Sequence, residues 1–303
     1  MTSSTFTRRN VIATAAMTAA AATTAPRTAS AQMIGTLDLA DPKTRAMVRA
    51  KVGGSIAEET VYTFYRLHLY GYANEGNLIP FVTMNNLNIT KWKPLPNGNY
   101  AGTVFESGAY CKFDTDESID VWENPITGEK RDVWPFIGGP LKAEVGPDGA
   151  VTDETATVKP KGQRIDIIGD TIFVPSQSAF SFPNPMKPEQ YPKESAGPIY
   201  YWDSHFVHAA KVADVLNPKL TRAGAFSQFQ NLVSWHPWFG LGGKPGRTYG
   251  KAYGTKLKNL DELPKGARLT LEKQTPEIFN VDNWTKPRLD FPEYMAWRKA
   301  KQG

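Results

Sequence analysis

The amino-acid sequence predicts a mainly β fold: an antiparallel barrel with a short N-terminal helix and a C-terminal helical tail. Two observations carry this prediction. From Val61 onward, short runs rich in aromatic and β-branched residues recur along the chain, and such residues favour a pleated, half-buried surface. Clusters of Pro, Asn, Asp and Gly separate these runs, and clusters of this kind reverse the chain direction.

The strand-like runs follow one another closely enough for a meandering antiparallel sheet. With this many strands, closure into a calycin-like or lipocalin-like barrel is favoured over an open sheet, because closure removes the exposed edges. Strands are predicted at 61–70, 78–90, 100–113, 118–122, 130–136, 141–145, 164–168, 171–174, 199–209, 225–235 and 269–273. Five prolines between 181 and 198 and six glycines between 240 and 254 predict two long loops.

Helices are predicted near the two ends of this domain. Asp41 and Pro42 supply an N-cap and a first-turn proline for a helix over 43–52, which the following glycine pair ends. Pro292 lies in the first turn of a second predicted helix, over 290–299.

Residues 1–31 have the features of a twin-arginine signal peptide. Arg8 and Arg9 precede a weakly apolar run of small residues, and Ala29-Ser30-Ala31 fits the small-x-small pattern of a signal-peptidase site. The run is shorter than the roughly 20 apolar residues of a membrane span. We therefore expect one β-rich domain over 32–303, exported to the periplasm by the twin-arginine machinery and without stable membrane insertion.

Composition argues against several classes of partner. Removing residues 1–31 would take away three arginines and lower the formal net charge from +5 to +2, which is too near neutral to indicate a nucleic-acid partner. Cys111 is the only cysteine, so no intrachain disulfide can form. Neither a GxGxxG nor a Walker pattern is present, and we expect no organic cofactor.

The chain contains four histidines, His68, His205, His208 and His236. His205 and His208 are three residues apart, which places them on opposite faces of a strand and disfavours a shared metal site. No HExxH spacing is present either. We expect no metal, and keep a His-ligated metalloenzyme as an alternative.

Four residues are candidates for catalysis. Asp203 and His205 share one face of a predicted strand, where the carboxylate would orient the imidazole as a general base. Arg66 and His68 share one face of the first predicted strand. They lie either on the solvent side or inside a polar lumen, where they would steady an oxyanion or carboxylate of a ligand.

The segment 234–240, SWHPWFG, is the most distinctive local sequence. Trp235, His236 and Trp238 would line the mouth of a pocket for an aromatic or terpenoid-like ligand, although packing at a barrel end explains them equally well. Trp202 and Tyr110 are further candidate contacts for such a ligand.

These residues together predict an exported, cofactor-independent enzyme, a lyase, isomerase or hydrolase. Its substrate would be a small aromatic or terpenoid-like molecule bound in the barrel. The main alternative is a non-catalytic periplasmic carrier of a hydrophobic small molecule.

Three segments carry a family resemblance: WENPITG at 122–128, SWHPWFGLGGKPG at 234–246 and ELPKGARLTLEK at 262–273. With them, the chain resembles the bacterial family called domain of unknown function 1838, whose members often carry twin-arginine signals. The resemblance spans most of the region after residue 31. It implies a single domain and export, and it transfers no catalytic residue.

Overall fold

The computed structural model describes residues 37–73, 76–152, 163–286 and 291–302. The predicted signal peptide and its cleavage site lie outside these residues. The strands are β1 (Glu59–Tyr72), β2 (Ile79–Pro94), β3 (Tyr100–Lys112), β4 (Val121–Glu123), β5 (Lys130–Asp132), β6 (Phe136–Gly146), β7 (Gly149–Thr152), β8 (Asp166–Ile168), β9 (Thr171–Pro183), β10 (Ile199–Lys211), β11 (Ala225–Val233) and β12 (Arg247–Leu257). The α-helices are α1 (Pro42–Gly53), α2 (Val212–Leu216), α3 (Lys265–Gln274) and α4 (Phe291–Gln302), and short 3-10 helices occupy Pro237–Phe239, Leu260–Glu262 and Pro276–Asn283.

Ten of these strands form one antiparallel sheet in the order β7-β6-β3-β2-β1-β12-β11-β10-β9-β8, and β4 pairs with β5 in a separate hairpin. The sheet curls into a half-barrel, so the predicted mainly β, barrel-like fold with helices near both ends is confirmed. Closure is only partial. The two edge strands, β7 and β8, are short, and among the described residues β7 pairs only with β6 and β8 only with β9.

Helix α1 lies inside the curl, because one of its residues reaches both margins of the sheet. The Arg49 guanidinium donates to the Pro147 carbonyl beside β7 and to the Pro175 carbonyl in β9, at 3.0 and 3.1 Å. It also donates to the Gln163 carbonyl, which precedes β8. The face of the sheet that α1 contacts is therefore the concave face, and the opposite one is the convex face.

The two ends of the concave face are closed differently. At one end, Val48 and Val52 of α1 pack with Ile172, Val174 and Ala210 of the sheet. At the other end, a cluster of buried rings fills the space. This aromatic end comprises Phe81, Tyr110, Trp122, Trp235, Trp238, Phe239 and Tyr294.

Two local predictions are wrong. The expected loop over 240–254 is a strand from Arg247 onward, and β12 lies at the centre of the sheet between β1 and β11. The expected strand over 269–273 belongs to α3, which packs its buried Ala267 and Leu271 against the convex face beside Leu87 and Phe105. None of the described helices is both long and apolar enough to cross a membrane.

Candidate functional site

A row of side chains crosses the concave face at right angles to the strands. It runs through Asn86 on β2, Tyr65 on β1, Gly254 on β12, Ser227 on β11 and His208 on β10, and each of these residues is the direct register partner of the next. Since side chains directly opposite one another in antiparallel strands lie about 5 Å apart, the row brings together groups that are distant in sequence. We call it the polar row.

Hydrogen bonds connect the members of the polar row. His208 Nδ1 lies 2.7 Å from the Ser227 hydroxyl oxygen, and the Tyr65 hydroxyl interacts with the same serine. At the other end, Asn86 Nδ2 donates to a carboxylate oxygen of Glu106 on β3 at 3.0 Å. A phenol, a hydroxyl and an imidazole are thus connected on one side, and an amide and a carboxylate on the other.

Gly254 lets Tyr65 reach Ser227 across the intervening strand. A Cβ atom at this position would lie 2.8 Å from Cδ1 of Tyr65 and would collide with the Phe64 carbonyl oxygen. Only glycine fits at this position, because the Tyr65 ring and the Phe64 backbone approach it closely.

The polar row is uncharged at its imidazole end. Burial, with a smaller contribution from the Lys256 ammonium, lowers the pKa of His208 to about 4, so the imidazole is neutral at neutral pH. Burial raises the pKa of Tyr65, and its phenol stays protonated. In the tautomer with its proton on Nε2, His208 accepts a hydrogen bond from the Ser227 hydroxyl. The neutral imidazole can therefore take up a proton through Ser227, as a general base does.

Lys256 lies on the same concave face near α1. Its ammonium donates to the carbonyl oxygens of Lys51 and Gly54, at 2.9 and 3.1 Å, where α1 ends. Burial lowers its pKa to about 7. Lys256 therefore ties the sheet to the C-terminal end of α1.

Three buried amide oxygens on the concave face, those of Asn86, Asn88 and Asn231, have no hydrogen-bond partner among the described residues. In the described part of the chain, nothing donates to Oδ1 of Asn86 or of Asn231, although these residues are 1% and 6% exposed. For Asn86 the amide orientation follows from the Glu106 carboxylate, which can only accept from Nδ2. A buried acceptor without a protein partner can accept a hydrogen bond from a water or a ligand.

Aromatic side chains line the concave face of β9 and β10 between the polar row and the aromatic end. The rings of Phe180 and Trp202 stack nearly parallel, with centroids 6.0 Å apart and an interplanar angle of 4°. Phe206 packs on Phe229 with centroids 4.8 Å apart. Phe180, Trp202 and Phe206 are only partly buried, so this aromatic wall offers flat apolar surface to a bound molecule.

The five predicted substrate contacts lie at the aromatic end. Tyr110 packs on Trp238, with ring centroids 4.9 Å apart, and His236 lies 6.3 Å from Trp202. Trp235, Trp238 and Tyr110 are buried within the core, whereas Trp202 and His236 are partly exposed. Burial lowers the pKa of His236 to about 4. The structure therefore groups these residues, and contact with a substrate stays a prediction.

Arg66 and His68 lie on the convex face, away from the polar row. Arg66 pairs with Asp116 at 2.8 Å, and His68 Nε2 lies 3.2 Å from an oxygen of Asp114. The structure does not bring either residue to the concave face, where a lumen would be.

Asp203 and His205 also lie on the convex face, and both are exposed. Asp203 accepts a hydrogen bond from Gln177 Nε2 at 3.1 Å. The two residues share a face, as expected for a strand, and are separated from His208, which points to the other side. Their catalytic role stays a prediction.

The polar row was not predicted from the sequence. Strand alternation could have separated His208 from His205 and indicated that it shares the interior with the aromatic residues of β10. The neighbours Ser227, Tyr65 and Asn86 could not have been found in this way, because they depend on the pairing of strands that are far apart in sequence.

Among the described residues, no three His, Cys, Asp or Glu side chains are grouped as ligands of a metal ion would be.

Two of the segments singled out in the sequence contact each other. Asn124, in WENPITG, donates from Nδ2 to the Phe239 carbonyl at 2.8 Å, and Phe239 belongs to SWHPWFG. The β4–β5 hairpin is thereby fixed on the aromatic end.

A comparison with curated proteins gives no match. The family model described as "Protein of unknown function (DUF1838)" matches residues 58–302, which include the polar row, the aromatic end and α4. This match covers most of the chain, and the protein therefore belongs to the DUF1838 family.

Proposed function

We propose that this protein is an exported enzyme that carries out lyase, isomerase or hydrolase chemistry without an organic cofactor. The substrate is a small aromatic or terpenoid-like molecule that binds on the concave face. The supporting observation is the group of Tyr65, Ser227 and neutral His208, which lies on the same concave face as the aromatic wall.

Each part of the site has a distinct role in this proposal. The aromatic wall of Phe180, Trp202 and Phe206 binds the apolar part of the substrate by stacking. His208 acts as the general base, and Tyr65, whose pKa is raised by burial, acts as a donor to Ser227.

Glu106 and Asn86 line the other side of the polar row. Because the Asn86 amide donates to the Glu106 carboxylate, its carbonyl oxygen is directed elsewhere and can accept from a hydroxyl group of the substrate. These two residues would orient the polar end of the substrate.

A carrier of a hydrophobic small molecule is the second candidate, and one observation favours it. The aromatic wall is partly exposed and needs no acid or base to bind a ligand. In that case the polar row would only recognise the ligand.

Native mass spectrometry of the purified protein, followed by incubation with any molecule that co-purifies, separates the two candidates. We expect a bound small molecule that is converted to product. Recovery of the molecule unchanged after prolonged incubation would support the carrier instead.

Variants identify the residues responsible. We expect His208→Gln to reduce turnover by about 100-fold or more, the usual contribution of a general base. His205→Gln, on the same strand but on the exposed face, is the matched comparison. The concave-face site predicts little change in turnover for it, whereas the role predicted for Asp203 and His205 from the sequence predicts a loss. If the effects of the two substitutions were reversed, the Asp203–His205 pair would be the catalytic one and the polar row would not.

We also propose that the protein works in the periplasm after twin-arginine export. The support is the pattern of residues 1–31, in which Arg8 and Arg9 precede small residues and a small-x-small site.

A further inference from the structure

A groove lies between the loop at 190–194 and helix α4, on the outside of the aromatic end. Its volume is about 380 Å³, within the range of pockets for small molecules. It is separate from the polar row and from the chemistry proposed there. The lining residues are Arg131, Gln190, Tyr191, Pro192, Lys193, Glu194 and Arg298.

The charges that line the groove are unequal. Three cationic side chains, Arg131, Lys193 and Arg298, face one carboxylate, Glu194. The carboxylate of Glu129, outside the lining, pairs with Lys193 at 2.8 Å and lies 3.9 Å from Arg131. Even with Glu129 included, the positive charges exceed the negative ones.

Glu194 is shared unequally between the two arginines. Its Oε1 atom accepts from Arg131 Nη2 at 2.7 Å and from Arg298 Nε at 3.4 Å. Arg131 is 8% exposed and also donates to the Trp238 carbonyl at 3.3 Å, so its position is fixed. Arg298 has a longer contact and a 25% exposed side chain, and it is therefore the arginine that can turn toward a bound anion.

The neutral members of the lining add hydrogen-bonding capacity. Gln190 and Tyr191 carry an amide and a phenol that can donate to oxygen atoms. Arginine presents its N–H groups in a planar fork that matches carboxylate and phosphate oxygens, and lysine contributes a point charge.

We propose that this groove binds a small oxyanion, a molecule that carries a carboxylate or a phosphate group. Arg298 and Lys193 hold the anion from two sides. Arg131, fixed by Glu194 and by the Trp238 carbonyl, supplies the positive field at the base of the groove.

Calorimetric titration of the purified protein with inorganic phosphate and, separately, with succinate tests this proposal at constant ionic strength. We expect saturable binding of at least one of the two, and the tighter one identifies the group. Arg298→Gln should weaken binding by about tenfold or more, because a charge-assisted contact is lost. Glu194→Gln should tighten it, since a competing carboxylate is removed.

Two further variants make the outcome decisive. Lys193→Gln should also weaken binding. This residue lies outside α4 and the substitution leaves the buried Arg131–Glu194 pair intact, so the variant tests the proposal even if Arg298→Gln disturbs folding. Lys301→Gln, on the same helix but paired with Asp132 outside the groove, should bind as the wild type does. The proposal is overturned if neither anion shows saturable binding, or if the Arg298 and Lys193 variants both bind as tightly as the wild type.

Discussion

His208 Nδ1 lies 2.7 Å from the hydroxyl oxygen of Ser227, although the two residues belong to different strands and are 19 positions apart. Their contact follows from the antiparallel register of β10 and β11, in which they are directly opposed. Burial keeps the imidazole neutral at neutral pH. A neutral imidazole beside a hydroxyl is the arrangement that a general base needs, and it also gives the protein a characteristic response to acid.

We predict that stability falls between pH 7 and pH 5 because of His208 and His236. Both have a pKa of about 4 in the folded protein against 6.5 in the unfolded chain, so the unfolded chain binds more protons as the pH falls through this window. Each should lower the free energy of unfolding by about 1 kcal/mol at pH 5, after allowance for partial exposure.

Urea denaturation at pH 7 and at pH 5 measures this effect. The double variant His208→Gln, His236→Gln should lose much less stability on acidification than the wild type. An equal loss in both proteins would show that neither imidazole has a lowered pKa.

Gly254→Ala should destabilise the protein by about 2 kcal/mol or more, because the added methyl group has no space beside Tyr65 and the Phe64 carbonyl. Gly53→Ala is the control. A Cβ there meets nothing within 4 Å, so this substitution near the end of α1 should be neutral or slightly stabilising. Chemical denaturation of both variants checks the prediction, which fails if they are equally stable.

Strand β12 shows where prediction of the fold from the sequence failed. The glycines of 240–254 suggested a loop, yet Gly250 and Gly254 lie on the concave face between Tyr249, Lys251 and Tyr253, with the alternation of a strand. Glycine is used here because Asn231 and Tyr65 occupy the space above the strand. This steric need for glycine arises only when β12 is paired with its neighbours. The glycine content alone therefore predicted a loop instead of a strand.

At α3 the error had a local cause. Leu269, Thr270 and Leu271 favoured a strand by residue type, whereas the buried set is Ala267, Thr270 and Leu271, at the spacing of a helix. The outer elements were predicted well because their signals are local. Asp41, for example, accepts from two backbone amides as the N-cap of α1.

For the site, the sequence predicted the residue types but not their positions. Trp202 and His236 do lie close together, because β10 pairs with β11 and places Trp202 opposite Val233, shortly before His236. The polar row depends on the register of five strands, which single-strand periodicity does not give.

Arg49→Met should lower the free energy of unfolding by about 3 kcal/mol, because the buried guanidinium donates to three carbonyl groups at both margins of the open sheet. Without it, the carbonyls of Pro147 and Pro175 lose their charged donor. Lys112→Met is the control. Its exposed pair with Glu117 should contribute less than about 1 kcal/mol. Similar losses in both variants would show that Arg49 does not hold the margins together.

The export proposal predicts a strict dependence on the arginine pair. The double variant Arg8→Lys, Arg9→Lys should accumulate in the cytoplasm at its full mass, because the twin-arginine signal requires both guanidinium groups. Arg27→Lys, in the same segment but outside the pair, should be exported normally. Cell fractionation and intact-mass measurement check both variants, and the exported protein should begin near Gln32. Normal export of the double variant would contradict export by the twin-arginine route, and the proposed periplasmic location would then have no support.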